Sequence, residues 1–317
     1  MTVRRRSAAA LASLAATALA LTACGTGEQA APGGGDKIKV VASTSVWGSV
    51  VQAVGGDGVE VESIIRDPSA DPHSYESSPQ DAAKVTDADL LVFNGGGYDE
   101  FMTQILGSGG QGKPTVEAVK DEHEGEPATH EAPDEHAGHD HAVNEHVWYD
   151  LHVVHEVADQ VATELGKLRP AEAEQFNQAA DRFEQEISGM EGRVGEIAAA
   201  NQGKQVIVTE PVAHYLVEAA KLQDITPPSF VNAIEAETDP SAAAVAEVQN
   251  VVNAGQIAAV IYNPQTESPV TRNVRSAAEQ NRIPVVELTE TLPTDKTYVQ
   301  WMDAQITALQ NALNQNR

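Results

Sequence analysis

AEAEQFNQAADRFEQEISGMEGRVGEIAA, residues 171–199, is the stretch that organises this chain. Its apolar positions Phe176, Phe183, Ile187, Met190, Val194 and Ile197 recur at intervals of 7, 4, 3, 4 and 3. That is the period of one narrow helical face. Arg169-Pro170 ends the helix before it, and no proline interrupts it. Twenty-nine helical residues would span roughly 43 Å at 1.5 Å each. One lobe does not need that length, so the segment is expected to join two lobes. A long helix packed within one domain is the alternative.

The flanking sequence alternates strands with helices. Before the long helix, residues 37–44 form a strand that runs into a helix with Val46, Val50, Val51 and Val54. A second strand covers Val59–Ile65, a helix lies near 78–88, and a buried strand over 89–94 is closed by Gly95-Gly96-Gly97. A helix (98–106), a strand (114–119) and a helix over Leu151–Leu168 complete this half. After the long helix come a strand (205–209), helices (212–220 and 241–253), a strand (257–262), a helix (268–281), a strand (283–288) and a last helix (298–313). Strands separated by helix-length segments predict an α/β fold of parallel βαβ units, with helices on both faces. Open sheets of this kind bind ligand at the carboxyl ends of their strands. The expected organisation is an N-terminal lobe (37–169), a linking helix (170–200) and a C-terminal lobe (201–317).

The first residues have the layout of an export signal. Arg4, Arg5 and Arg6 precede a short apolar run that ends in Leu21-Thr22-Ala23-Cys24, too short to span a bilayer. Residues 1–23 are therefore expected to be removed, leaving Cys24 to be acylated and to hold the protein on the outer face of the cell membrane. The alternative is an ordinary buried cysteine. As the only cysteine, it makes neither an internal disulfide nor a thiolate metal site. Residues 24–36, rich in Gly, Ala and Pro, suit a flexible tether. The formal net charge of −27 argues against a nucleic-acid partner, whose phosphates would be repelled, and favours attraction of cations.

Residues 121–145 break the alternation. They hold five histidines and nine acids but no lysine, arginine or large aromatic residue, so they cannot bury a core and predict a mobile loop. Within them His136, His139 and His141 are dense enough to hold zinc weakly, although an inert linker is the plainer alternative.

Four strand-end segments carry the candidate chemistry. They are Asp71-Pro72-His73-Ser74-Tyr75-Glu76, Asn144-Glu145-His146-Val147-Trp148-Tyr149-Asp150, Val208-Thr209-Glu210-Pro211 and Leu288-Thr289-Glu290-Thr291. Two imidazoles and two carboxylates from four loops suit one zinc or manganese ion. Lone histidines and strand-end acids are more often structural, so spacing alone does not decide the matter.

The paired histidine segments resemble the motifs of the zinc/manganese ABC-transporter solute-binding lipoproteins, the ZnuA/TroA-like family. The resemblance runs from about residue 38 to the C-terminus and includes the acidic histidine-rich insert, the long helix and Thr209-Glu210-Pro211-Val212. It implies two four-stranded lobes joined by one rigid helix with one metal between them. It also implies delivery to a membrane ABC permease with its ATPase, a monomeric state and no enzymatic activity. The first two ligands fall on His73 and His146. The third, five residues before an aromatic, falls on Glu210 by counting back from Tyr215, and not on His214. The fourth is usually Asp; Glu290 occupies the matching position, with Asp295 as the fallback. His214 with Glu218 and His152 with Glu156 are i, i+4 pairs, expected to be polar helix faces.

The two carboxylates point toward manganese and the histidine-rich insert toward zinc. Zinc is favoured because an N/O site binds it more tightly than manganese. Two rivals differ in class. A freestanding metal buffer or surface adhesin would lack an importer. A zinc hydrolase would need an open coordination position and a general base, and the sequence holds no His-Glu-x-x-His or Gly-x-Ser-x-Gly motif.

Overall fold

The computed structural model describes residues 36–70, 72–110, 112–119 and 144–315. Cys24 and the insert histidines, His136, His139 and His141 among them, lie outside the described residues. None of the described helices is long and apolar enough to cross a membrane.

The N-terminal lobe runs β1 (Ile38–Thr44), α1 (Ser45–Gly55), β2 (Val59–Ile65), α2 (Pro79–Asp87), β3 (Leu90–Gly95), α3 (Glu100–Ile105), β4 (Thr115–Val119) and α4 (Leu151–Leu168). Its four strands are parallel, in the order β2-β1-β3-β4. Every residue of β3 is buried, as a central parallel strand covered on both faces requires. The linking helix is α5 (Ala173–Asn201), 29 residues long.

The C-terminal lobe repeats the plan with β5 (Gln205–Val208), α6 (His214–Ala219), β6 (Gln223–Asp224), α7 (Pro228–Glu235), α8 (Ala242–Ala254), β7 (Ala259–Tyr262), α9 (Pro269–Gln280), β8 (Val285–Glu287) and α10 (Tyr298–Gln315). Its parallel order is β6-β5-β7-β8. In each sheet the chain lays its second strand on one side of the first and its third on the other. That reversal opens a crevice at the carboxyl ends of the strands.

Two elements go beyond the sequence-based expectation. β6 is a two-residue strand and α7 an eight-residue helix, in a region to which the sequence pattern assigns no element. The single helix expected over 212–220 is instead a 3₁₀ turn, Pro211–Ala213, followed by α6. Pro211 opens the 3₁₀ turn, at a position where its missing N–H costs no helical hydrogen bond.

The stripe on α5 is the buried one: Phe176, Phe183, Ile187, Met190, Val194 and Ile197 are each 3% exposed or less. Burying such side chains contributes about 1.5–3 kcal/mol apiece. α5 packs on α4, α1 and α10, and one continuous apolar cluster takes residues from both lobes. Hydrogen bonds add to it: Thr291 Oγ1 donates to Pro68 O, Tyr149 OH to Thr289 O and Tyr298 OH to Trp148 O, each at 2.7 Å.

Candidate metal site

His73 lies in the turn after β2, on the loop leading into α2. That loop is tied down at its far end. Asp81 Oδ2 accepts from Tyr75 OH at 3.0 Å, from Ser78 N–H at 2.9 Å and from Ser78 Oγ at 2.7 Å. Ser78 Oγ in turn accepts from Asp81 N–H, closing a capping box on α2. Burial pushes the Asp81 carboxyl up, but the bonds from Ser78 and Tyr75 outweigh it and hold the group below its usual 3.8.

His146 is 1% exposed and immediately precedes a 3₁₀ turn, Val147–Tyr149. Asn144 Oδ1 accepts from its backbone N–H at 2.9 Å and lies 3.0 Å from its Nδ1. The other end of the amide, Nδ2, donates to Pro211 O at 3.1 Å. With the oxygen so assigned, Nδ1 carries the proton and Nε2 presents a lone pair. Nε2 is buried and makes no hydrogen bond among the described residues. Burial first, then the neighbouring His73 and His214, lowers the ring's pKa to about 3. The imidazole is therefore neutral, as metal binding demands.

Glu290 is 5% exposed and follows β8. Gln265 Oε1 accepts from the N–H groups of Glu290 at 2.6 Å and Thr291 at 3.2 Å. The Nε2 of the same glutamine donates to Pro68 O and Thr291 Oγ1. One side chain thus clips the Glu290 loop to the segment that leads into His73.

One ligand atom each from His73, His146 and Glu290 lie within 4.8 Å of one another. His73 Nε2 stands 3.7 Å from Glu290 Oε1. Two donors bound to one tetrahedral zinc sit about 3.4 Å apart, so the pair needs to close by only a few tenths of an ångström. Aromatic rings wall the imidazoles: Tyr98 meets His73 edge-on at 4.9 Å, Trp148 meets His146 at 5.2 Å, and the two walls touch at 4.7 Å.

Glu210 lines the same cleft of about 220 Å³ with His73 and Glu290. It is 5% exposed, and its Oε2 accepts from Asn263 Nδ2 at 2.7 Å. Among the described residues it belongs neither to that trio nor to the second group of close ligand atoms, His73, Glu145 and Glu235. Asp295 is exposed and outside both groups. His214 faces Glu218 at 3.8 Å and His152 faces Glu156 at 3.4 Å, all four with well-exposed side chains, as a polar helix face predicts.

Two carboxylates not singled out from sequence also reach the imidazoles. Glu145 Oε1 lies 3.8 Å from His73 Nδ1. Glu235 Oε1, from the end of α7, lies 3.9 Å from His73 Nε2 and 3.7 Å from His146 Nε2. A proline at the first position of α7, ahead of Phe230, Val231 and Ile234, was the signal that α7 exists.

Known proteins share the sequence pattern and fold of this chain. Residues 40–312 match the ZnuA family model, described as zinc-uptake complex component A, periplasmic. The manganese-binding lipoprotein MntA of Bacillus subtilis is 26% identical over 60% of this chain and 60% of its own length. The zinc-binding lipoprotein AdcA of Streptococcus pneumoniae is 24% identical over 94% of this chain but 59% of its own. The chain thus spans about three-fifths of the length of either relative. Among solved structures, the laminin binding protein Lmb of Streptococcus agalactiae, titled a bifunctional protein with adhesin and metal transporting activity, superposes with a TM-score of 0.69. It is 21% identical and is covered over 99% of its chain and 87% of this one. At that identity the likeness shows the fold.

Proposed function

This chain belongs to the ZnuA family of periplasmic zinc-uptake components, and we propose that it captures a divalent transition metal between its lobes and hands it to a membrane ABC permease with its ATPase. The family consists of metal-transport binding proteins, not enzymes. The observation that carries the proposal is the convergence of His73, His146 and Glu290 within 4.8 Å, with a neutral, buried His146 Nε2 among them.

In this reading His73 and His146 supply the borderline nitrogen donors and Glu290 an oxygen donor, with Glu210 as the fourth ligand that the family pattern supports. Zinc is the favoured cargo, because two imidazoles suit it and the Irving–Williams order places it above manganese. The histidine-rich insert gathers the ion for the main site. Acylated Cys24 anchors the protein, as a monomer, to the outer face of the membrane, and residues 24–36 tether the body.

A manganese reading draws on the carboxylates of the cleft and on the likeness to MntA. An adhesin role draws on Lmb alone. Metal analysis of the purified protein, followed by competitive titration with Zn²⁺ and Mn²⁺, decides between the two ions. One equivalent of tightly held zinc is expected. Failure of both ions to bind stoichiometrically would refute capture altogether.

A further inference from the structure

We infer that Glu235, the last residue of α7, is a direct ligand of the captured cation alongside His73, His146 and Glu290. The inference rests on the proposal that this cleft holds a divalent metal. Glu235 Oε1 stands 3.7 Å from His146 Nε2 and 3.9 Å from His73 Nε2, the same spacing that links His73 to Glu290. It reaches both imidazoles, and His146 Nε2 is a buried donor atom with no hydrogen bond among the described residues. Glu210 Oε2 accepts from Asn263 Nδ2, as a ligating carboxylate commonly does, so Glu235 is added to that ligand and does not replace it.

The fold builds this position. Phe230 and Ile234 of α7 are buried in the apolar core of the C-terminal lobe, which fixes the helix. Its end is closed by two bonds, Thr238 N–H to Ala233 O at 2.8 Å and Glu237 N–H to Ile234 O at 2.9 Å. These are the paired bonds of a Schellman cap. The cap residue is Glu237, at φ +52°, where glycine is the usual occupant and other residues are strained. Glu235 is thereby delivered to the cleft at the negative end of a helix, where a carboxylate is electrostatically disfavoured. The cleft compounds this: its lining holds Glu210, Glu235, Glu237 and Glu290 and neither lysine nor arginine. A divalent cation attracts each of these carboxylates and the negative helix end, and so offsets their mutual repulsion.

The test compares full-length mature protein with Glu235→Gln and Glu210→Gln variants. The probes are Zn²⁺ in chelator competition and Co²⁺ read by visible absorption. Glu235→Gln is expected to weaken Zn²⁺ binding by at least about 10-fold, the loss that removing even an outer-shell partner brings. It is also expected to change the Co²⁺ ligand-field spectrum, which a merely structural role would leave alone. Affinity within twofold of wild type with an unchanged spectrum would overturn the inference. If wild type itself binds neither ion tightly, the capture proposal fails instead. Glu235→Asp, with its carboxylate one methylene short, gives the same comparison if the glutamine variant does not fold; an unaltered spectrum there overturns the assignment as well.

Discussion

Asn144 Oδ1 stands 3.0 Å from His146 Nδ1 while the same amide donates through Nδ2 to Pro211 O at 3.1 Å. One side chain thus sets the tautomer of the buried imidazole and ties its loop to the other lobe. Asn144→Ala should weaken metal binding by about 10- to 100-fold, the range for outer-shell partners of a ligating histidine. Asn144→Asp keeps an acceptor for Nδ1–H and should lose much less. Chelator competition on both variants checks the order, and equal losses would mean that the amide acts only through Pro211.

The capping box on α2 predicts a pH-dependent contribution to stability. The Asp81 carboxyl is held below 3.8 in the folded protein, so its contribution is present above that value and fades as pH falls through the folded pKa. Asp81→Ala should cost about 1–2 kcal/mol at pH 7. The gap between variant and wild type should narrow below pH 3.8, measured by denaturant melts across the acid range. A gap that stays constant there would show that the charge contributes nothing.

The long helix predicts limited motion. Gly189, Gly192 and Gly195 of α5 each have open space where a Cβ would stand, and none has positive φ. Replacing all three with alanine should therefore stabilise the protein by about 2–3 kcal/mol. If the lobes tilt only slightly on metal release, the triple variant should keep wild-type affinity. Small-angle scattering should show little change in radius of gyration between metal-free and loaded forms. A large change that the triple variant abolishes would make the glycines a hinge.

Deleting residues 121–142 should leave one tight site and lower the total zinc bound at saturation, as read by metal analysis after dialysis. Loss of the tight site would place a primary ligand in the insert.

How much of this was legible in sequence depends on the length scale of each signal. The stripe from Phe176 to Ile197 repeats one period along most of a 29-residue helix, so no local detail of packing can hide it. His73 and His146 sit in segments whose residue types mark them. α7 holds barely two turns and opens on Pro228 directly after Pro227, a pair that reads as a break as readily as a helix start. β6 has two exposed residues and no alternation to detect. Because α7 was hidden, Glu235 was hidden too. Which further carboxylates reach the imidazoles is a tertiary distance, and no count along the chain shows Glu235 or Glu145 within 4 Å of His73.

The central claim is that His73 and His146 converge from two loops on one captured ion. Competitive zinc titration of wild type, His73→Ala and His146→Ala tests it most directly. One tight equivalent for wild type and none for either variant is the predicted result. Wild-type affinity in either variant would contradict it, because that imidazole would then lie outside the coordination sphere.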